Sequence, residues 1–317
     1  MSQLRIGTAG WSYPSGAGTW NGIFYPLKGR RTTRGGKFDE LAYYAEHFDT
    51  VEVNSSFYRV PTPATTRSWV KRTPPGFEFS FKLFQKFTHP RMYAESSEQP
   101  QGPGGVVQTD VDEVRRSLDP VVEAGKLGAI LAQFPPSFHR EPATMDYLDW
   151  VLGAFRGLRV AVELRHRSWS DRQGETLDLL NSRGAALVQI DEPKFRLSIR
   201  QNFLPNVQTF YYMRLHGRNA AQWWKHEHAD DRYNYLYSAR ELQPIVDTAD
   251  AVRHLVRKLY LYFNNHFAAK AVANAAMVKD ALGLPNPGTY PEAFVEAYPD
   301  LEGRVATSTS LLSRTSS

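Results

Sequence analysis

The chain has 317 residues, of which 42% are hydrophobic and 22% are charged, as is ordinary for a globular protein with a sizeable core. The sequence contains no cysteine, which excludes disulfide bonds, thiolate nucleophiles and cysteine-ligated metals. The net charge of +5 favours anionic partners only weakly, because it is a small charge for a molecule of this size.

Short apolar runs alternate with helical patterns along the whole chain. The predicted strands are residues 4–8, 50–54, 77–82, 128–133, 159–162, 186–191, 209–216 and 258–264. The predicted helices are residues 38–48, 63–71, 111–124, 143–155, 173–182, 239–257 and 268–282. Residues 192–208 show no helical pattern, so we expect the sixth helix to be irregular or missing.

Eight strands that are each followed by a crossover segment predict an α/β fold, a (β/α)8 TIM-like barrel. An open doubly wound sheet is the alternative. We expect residues 1–290 to form this single domain and residues 291–317 to form a C-terminal extension with a flexible, Ser/Thr-rich end. No signal peptide is recognisable and no apolar run approaches about 18 residues, so we expect a cytoplasmic protein without membrane contact.

Polar residues stand near the C-terminal end of every predicted strand. In an extended chain alternate residues face opposite sides, so these residues face the barrel interior and their apolar neighbours face the helices. The predicted interior set is Thr8, Glu52, Asn54, Ser80, Lys82, Gln133, Glu163, Arg165, Gln189, Asp191, Arg214, His216, Tyr262 and Asn264. We therefore expect these side chains in one cavity at the C-terminal mouth, where barrel enzymes keep their active sites.

The charged members of this set balance: Glu52, Glu163 and Asp191 stand against Lys82, Arg165 and Arg214. A balanced ring can be a neutralising network that only supports the barrel, since an unpartnered buried charge is costly. Two further observations favour a functional site. His216 and His166 add groups that titrate near physiological pH, and the arginines suit bidentate binding of a carboxylate or phosphate.

Several separate motifs resemble the YecE-like family, a family of unknown function. They are Gly7–Trp11, Trp20 with Phe24–Pro26, Val51–Tyr58, Glu163–Trp169, Arg214–Gly217, and Tyr262–Asn265 followed by Ala271, Asn274 and Ala275. The resemblance covers residues 5–282 and implies a TIM-barrel fold, but it implies no activity. The basic first loop, the long loop after the seventh strand and the Ser/Thr tail fall outside the shared motifs.

Three loops qualify the predicted site. The first loop carries Lys28, Arg30, Arg31, Arg34 and Lys37, which either guide an anion to the mouth or are simply solvated. The loop after the seventh strand is aromatic and suits a lid or stacking platform, with Trp223, Trp224, Tyr233, Tyr235 and Tyr237. Its His226, His228, Asp230 and Asp231 lack the converging ligands of a metal site.

The eighth strand runs into a helix N-terminus, the usual phosphate-binding position in barrels, through Asn264, Asn265 and His266. We assign catalytic roles to Glu163 or Glu52 as general base, to His216 as acid–base partner and to Asp191. The predicted ligand-binding residues are Trp11, Asn54, Tyr58, Lys82, Gln133, Arg165, His166, Arg214, Asn264 and Asn265. The sequence predicts no metal site, and no motif indicates a cofactor.

The leading hypothesis is a hydrolase or lyase that acts on a small phosphorylated or nucleotide-like ligand at the barrel mouth. Nucleic acid is a weaker candidate partner. Two alternatives stay open: a non-catalytic protein that binds a nucleotide or a nucleic-acid end, and a metal-dependent barrel of the endonuclease or sugar-isomerase type. The sequence predicts no oligomeric state.

Overall fold

The computed structural model describes residues 3–27, 38–96, 105–223 and 231–307. Within them nine parallel strands form one sheet in the order β6-β5-β4-β3-β2-β1-β9-β8-β7. The strands are β1 Gln3–Ala9, β2 Thr50–Val53, β3 Glu78–Lys82, β4 Leu127–Gln133, β5 Val160–Glu163, β6 Ala186–Leu187, β7 Gln189–Asp191, β8 Tyr211–Leu215 and β9 Lys258–Phe263.

The sheet curls into a nearly closed barrel because its two edge strands are consecutive in the chain. β6 pairs with β5 and β7 pairs with β8, while only Val188 separates β6 from β7. Together the two short strands therefore take the place of the sixth strand of the barrel. The predicted (β/α)8 TIM-like barrel is confirmed, and the open sheet is wrong.

A side chain binds the backbone at the break between β6 and β7. Gln201 accepts a hydrogen bond from Ile190 N at 3.0 Å and donates one to Val188 O at 2.6 Å. Residues 192–210, all of them described, contain no helix, as predicted. Within this irregular loop, Gln201 satisfies two backbone groups that a neighbouring strand would otherwise bind.

The helices of the described residues surround the barrel. They are α1 Glu40–His47, α2 Ser55–Tyr58, α3 Pro63–Lys71, α4 Gln85–Thr88, α5 Pro90–Ser96, α6 Gln108–Glu123, α7 Pro142–Ala154, α8 Ser168–Asp171, α9 Gln173–Ser182, α10 Ala239–Val252, α11 Lys270–Ala281 and α12 Glu292–Ala297. Side-chain caps fix two of the starts: Asp39 accepts from two backbone N–H groups of α1, and Ser238 with Glu241 forms a capping box on α10. None of these helices is long and apolar enough to cross a membrane.

The barrel interior is polar along much of its length. Near the bottom, Glu78 accepts hydrogen bonds from Lys258 and Tyr260, each at 2.6 Å. In the middle, the Tyr262 hydroxyl lies 2.6 Å from Thr50 Oγ1 and 3.0 Å from Ser80 Oγ. These fully buried hydroxyls find partners, as burial requires, and they build the floor beneath the charged groups of the mouth.

The predicted facing is wrong at two strands. Ala9 pairs laterally with the inward Glu52, so Thr8 faces outward, and its Oγ1 lies 3.0 Å from the Tyr44 hydroxyl on α1. Asp191 pairs laterally with Leu215 rather than Arg214, so Asp191 and Gln189 also face away from the barrel interior. The strands of a closed barrel are buried on both faces, so polarity alone does not reveal which way a side chain points.

The C-terminal segment packs against the barrel as far as residue 307. Phe294 of α12 is fully buried, and its ring centroid lies 5.6 Å from that of Phe24 in the first loop. Leu301 is buried as well, and Tyr290 bridges to Thr307. This segment covers α11, whose residues 271–279 are all buried.

Candidate functional site

Arg214 lies at the centre of the barrel mouth and is 1% exposed. Its Nε and Nη2 donate to the two oxygens of Glu52 at 3.0 and 2.7 Å. Its Nη1 donates to Glu163 at 2.6 Å and to Gln133 at 3.3 Å. Each of the three guanidinium nitrogens is therefore held by a protein oxygen, so the position leaves Arg214 little capacity to bind a ligand.

Charges of alternating sign continue from Glu163 towards the rim. Arg165 donates to Glu163 Oε1 through Nε at 2.8 Å and Nη2 at 2.6 Å. On the other side of Arg165, Nη1 lies 3.2 Å from Oε2 of Glu192. The resulting row of carboxylates and guanidiniums leads from the buried centre of the barrel to its surface.

Glu163 is fully buried and remains ionised. Burial acts to raise its pKa, but the Arg214 and Arg165 guanidiniums outweigh burial and hold the pKa well below its usual range. In turn, the carboxylates of Glu163 and Glu52 raise the pKa of Arg214, although the burial of Arg214 acts in the opposite direction. A carboxylate held so firmly is a weak base, which makes Glu163 a structural counter-charge before anything else.

His216 is buried beside these groups and is uncharged. Burial, and then the Arg214 charge, lower its pKa to about 3. Its Nε2 lies 3.3 Å from Nη1 of Arg214 and from Nη2 of Arg165, and its Nδ1 lies 2.9 Å from the Asn264 amide. Asn54 extends the chain by donating to Asn264 at 3.3 Å. With so low a pKa the imidazole is a weak base, and in this place it acts as a neutral hydrogen-bonding group between the arginines and Asn264.

Lys82, at the end of β3, is half-buried and lies over the Phe57 ring, with Nζ 4.0 Å from the ring centroid. Among the described residues its ammonium has neither a hydrogen-bond acceptor nor an ion-pair partner. Burial, and then the Arg214 charge, lower its pKa to about 7. Lys82 is thus a cation of the mouth that the protein does not neutralise by direct contact.

An open cleft of about 470 Å³ lies at the rim beside this row of charges. It is formed by the segments that follow β4, β5, β7 and β8. Its charged and titratable lining residues are Arg165, Arg196, Glu192, His139 and His166, and its walls are completed by Pro136, Ser137, Phe195, Leu197, Ser198 and Trp223. Its volume is in the range of pockets that hold small metabolites.

Glu192 is the one acidic group of the cleft lining, and it is 7% exposed. Burial raises its pKa, although the neighbouring Arg165 acts against the change. Its Oε2 is near Arg165 but accepts no hydrogen bond from the described residues. A carboxyl that holds its proton more readily than usual in a ligand-sized cleft has the properties of a general acid.

The structure brings most of the predicted site residues together at one end of the barrel. Glu52, Gln133, Glu163, Arg165, Arg214, His216, Asn54 and Asn264 form one bonded network. Lys82 and His166 border it, and His166 lines the cleft, where its ring centroid lies 3.9 Å from that of His139.

Four predicted site residues lie apart from this network. Asp191 accepts hydrogen bonds from the Tyr237 hydroxyl at 2.8 Å and from Arg218 at 2.7 Å, outside the barrel. Trp11 packs edge-on against Trp69 of α3, with ring centroids 5.3 Å apart. The other two are Tyr58, which is 65% exposed on α2, and Asn265, which donates to Tyr235 O and to Asn274.

The predicted phosphate position after the eighth strand of the barrel is occupied by protein groups. Trp20 Nε1 donates to His266 O at 2.7 Å, and the His266 ring stacks on Tyr13 with centroids 4.3 Å apart. Ala268 and Ala269 adopt left-handed backbone conformations before α11 begins. This packing ties the first loop to the barrel at the place where other barrels bind phosphate.

Sequence reasoning missed the cleft residues Glu192, Arg196 and His139. Glu192 directly follows Asp191, and the correct facing of the sixth strand would have pointed it into the mouth. Arg196 and His139 lie on irregular loops, where no periodicity signals their direction.

Several predictions fall on residues 28–37, 224–230 and 308–317, outside the described residues. They concern Lys28, Arg30, Arg31, Arg34, Lys37, Trp224, His226, His228, Asp230 and the Ser/Thr tail. In the part of the chain that the structure does describe, no three His, Asp or Glu side chains converge as metal ligands.

Comparison with known proteins places this architecture in a family. The family model described as "Protein of unknown function DUF72" matches residues 5–296. Protein YunF of Bacillus subtilis is 26% identical over 299 residues, which cover 91% of this chain and 98% of YunF. Protein YecE of Escherichia coli is 29% identical over 156 residues, 48% of this chain and 52% of YecE.

Solved structures show the same fold. The crystal structure of a DUF72 family protein from Thermotoga maritima is 30% identical and superposes with a TM-score of 0.73, covering 89% of this chain and 99% of that one. A DUF72 family protein from Enterococcus faecalis gives a TM-score of 0.73 at 24% identity, covering 89% of this chain and 96% of that one.

Proposed function

This chain belongs to the DUF72 family of proteins of unknown function, and we propose that it is an enzyme that acts on a phosphorylated ligand bound in the rim cleft. The network around Arg214 supports the barrel mouth in this proposal. The cleft lined by Arg196 holds the ligand. This division of roles follows from the contacts of the two arginines: protein oxygens already bind Arg214, whereas Arg196 has no ion pair among the described residues.

The observation that carries the proposal is the guanidinium of Arg196, unpaired among the described residues, in the lining of the cleft. Arg196 lines the cleft, is exposed, and makes no ion pair with any residue in the described ranges. Arg165 also lines the cleft, but Glu163 and Glu192 hold all three of its guanidinium nitrogens, which leaves Arg196 to bind a ligand. Guanidinium groups bind phosphate through paired hydrogen bonds, so an unpaired guanidinium in the cleft favours a phosphorylated ligand.

The remaining walls define the rest of the ligand. Phe195, Leu197 and Pro136 form an apolar side, and Trp223, which is 6% exposed, contributes an indole that lies across from His216. Apolar and aromatic surfaces of this kind contact the faces of sugars and bases. The cleft therefore suits a sugar phosphate or a nucleotide.

Glu192 supplies the chemistry in this proposal. Its raised pKa and its oxygen without a hydrogen bond make it a candidate to donate a proton to a leaving group, as in a hydrolase or lyase. Glu52 and Glu163 are less suitable, since arginines bind the oxygens of both. His216, with a pKa of about 3, is too weak a base for this role and serves as a neutral hydrogen-bond partner of Arg165 and Arg214.

A thermal-shift experiment tests the proposal. Wild type, Arg196→Ala and the control Arg200→Ala, an exposed arginine outside the cleft, are each heated with sugar phosphates, nucleotides and short oligonucleotides. We expect at least one phosphorylated compound to stabilise wild type and the control but not Arg196→Ala. If no phosphorylated compound stabilises wild type, the proposal is wrong. If a phosphorylated compound binds equally to wild type and to Glu192→Gln, and wild type does not convert it, the protein is a binder rather than an enzyme.

A further inference from the structure

Five lysines of the described residues have a lowered pKa, with desolvation as the largest cause in each: Lys82, Lys126, Lys194, Lys270 and Lys279. Four of them donate to a protein oxygen. Lys126 donates to Val70 O and to both Thr73 oxygens, Lys279 to His47 O, Lys194 to Ile190 O and Lys270 to Asn234. Their positions are explained by these structural contacts.

Lys82 is the exception among the five. Its Nζ lies over the Phe57 ring and meets no acceptor in the described residues, although it sits at the C-terminal end of β3 within the barrel mouth. An apolar side chain at this position, or a carboxylate beside the amine, would avoid the cost of burying an ammonium without an ion-pair partner. Apart from this ring contact the half-buried amine has no partner among the described residues that offsets its desolvation, and a chemical role would explain why it stands there.

The charges that surround Lys82 come from several elements of the barrel. Burial lowers its pKa first, and Arg214 from β8 and Arg165 after β5 act in the same direction, while Glu163 and Glu52 act against them. His89, which follows α4, lies near enough for the Lys82 charge to lower its own pKa, after the effect of burial. Burial, with the cationic neighbours acting in the same direction, thus keeps the amine partly unprotonated at neutral pH.

We infer that Lys82 is a nucleophile that forms an imine with a carbonyl group of the ligand. The unprotonated Nζ attacks the carbonyl carbon, the carbonyl electron pair moves to oxygen, and that oxygen takes a proton. The carbinolamine then takes up one proton from solvent and loses one water to give the protonated imine, so the step needs no oxidant or reductant. A protonated imine draws electrons from the adjacent carbon, which is what a lyase requires to break a bond there.

This inference rests on the proposed function, because it gives the phosphorylated ligand of the cleft an aldehyde or ketone. Lys82 is not itself a lining residue of the cleft, but Arg165 lies between the two regions: its guanidinium lines the cleft, and its charge acts on Lys82. A ligand whose phosphate is bound by Arg196 must therefore extend its carbonyl end past Arg165 to reach Lys82. An open-chain sugar phosphate has both groups.

Reductive trapping with pyridoxal 5′-phosphate, a phosphorylated aldehyde, tests the inference. Wild type, Lys82→Arg and Lys86→Arg are treated at pH 7 with the aldehyde and cyanoborohydride, and the modified lysine is found by peptide mass mapping. Lys86 is the matched control because its amine is bound by Asp110 at 2.8 Å. At pH 7 the unprotonated fraction of Lys82 exceeds that of an ordinary lysine by roughly a thousandfold, which outweighs its lower intrinsic nucleophilicity.

We expect one early adduct, on Lys82, in wild type and in Lys86→Arg, and its loss in Lys82→Arg. Labelling that spreads over exposed lysines at the same rate in wild type and Lys82→Arg would overturn the inference. If Lys82→Arg fails to fold, the peptide mass map of labelled wild type tests the inference by itself.

Unphosphorylated pyridoxal separates the two proposals. If the phosphate is recognised, we expect pyridoxal to label Lys82 about tenfold more slowly than the phosphorylated aldehyde, and Arg196→Ala to remove that difference. Equal labelling of Lys82 by both aldehydes would support the reactive amine and contradict the phosphate site. No labelling of Lys82 by either aldehyde would contradict the reactive amine alone.

Discussion

Arg214 and Glu52 form a two-point ion pair across the barrel, with Nε and Nη2 of the arginine 3.0 and 2.7 Å from the two carboxylate oxygens. Neither side chain is more than 1% exposed. The Tyr212 hydroxyl completes the pair by donating to Glu52 at 2.7 Å. Because this pair is buried and fully hydrogen-bonded, it holds β2 and β8 together across the barrel interior. It belongs to the structural part of the mouth, which is distinct from the cleft at the rim.

Removing one partner of this pair should destabilise the fold strongly. Arg214→Ala leaves Glu52 and Glu163 buried without their main counter-charge, which typically costs about 3–5 kcal/mol. We expect the thermal midpoint to fall by several degrees, with or without ligand. The control is Arg183→Ala, which removes only an exposed pair with Asp149 and should change the midpoint little. Equal midpoints for Arg214→Ala and wild type would show that the pair is dispensable.

His216 should make the protein less stable in acid. Its pKa is about 3 in the folded chain and near 6.5 when unfolded, so the unfolded chain binds the extra proton between these values and stability falls as pH falls through that window. Relative to His216→Gln, wild type should lose up to about 1.4 kcal/mol per pH unit below pH 6.5. Urea unfolding at pH 7, 5.5 and 4.5 measures this, and a stability difference that does not change with pH would contradict it.

Lys82→Met should stabilise the protein, an unusual result for the loss of a charged group. The pKa of Lys82 is about 7 in the folded chain and lies near 10.5 when unfolded. Its charged form is therefore penalised fully below pH 7, and the penalty fades as pH rises from 7 to 10.5. The midpoint of Lys82→Met should exceed that of wild type at pH 6.5 and approach it at pH 10.

Lys126→Met is the matched control for that experiment. Lys126 also has a lowered pKa, but its ammonium donates to three oxygens at 2.8–3.0 Å. Its loss leaves those oxygens unsatisfied and should lower the midpoint. If both variants are destabilised alike, Lys82 has a structural contact and the case for its reactivity fails.

Glu192→Gln should separate stability from activity. The pKa of Glu192 is raised, chiefly by burial, so its ionised form costs stability at neutral pH and the cost disappears as pH falls below the unfolded value. The amide should therefore leave the thermal midpoint at pH 7 unchanged or higher. Turnover of a stabilising phosphorylated compound, followed by phosphorus NMR, should fall about a hundredfold. Full activity in this variant would exclude Glu192 as the proton donor.

The sequence predicted the charged mouth wherever a strand has one polar and one apolar face. Alternation correctly turned Glu52, Glu163 and Arg214 inward, because their apolar neighbours pack against helices. At the sixth strand the same rule chose the wrong face, and a shift of one residue exchanges inside for outside. The interruption at Val188 depends on Gln201, thirteen residues later, and no local pattern signals that bond.

The cleft could not be predicted for a related reason. Arg196 and His139 reach it from loops whose direction is fixed by tertiary contacts, such as the bridge between His166 and Ser198. Composition and periodicity carry no information on these contacts. Prediction therefore located the mouth correctly, but it could not tell that Arg214 is enclosed by acceptors while Arg196 is not.

The central claim is that the cleft recognises phosphate through Arg196 rather than through Arg214. Titration calorimetry of ribose 5-phosphate and ribose against wild type, Arg196→Ala and Arg200→Ala tests it most directly. We predict that wild type and Arg200→Ala bind the phosphorylated sugar at least about tenfold more tightly, a difference of about 1.4 kcal/mol, and that Arg196→Ala loses most of this preference. Equal affinity of wild type for the two sugars, or a preference that survives in Arg196→Ala, would contradict the account.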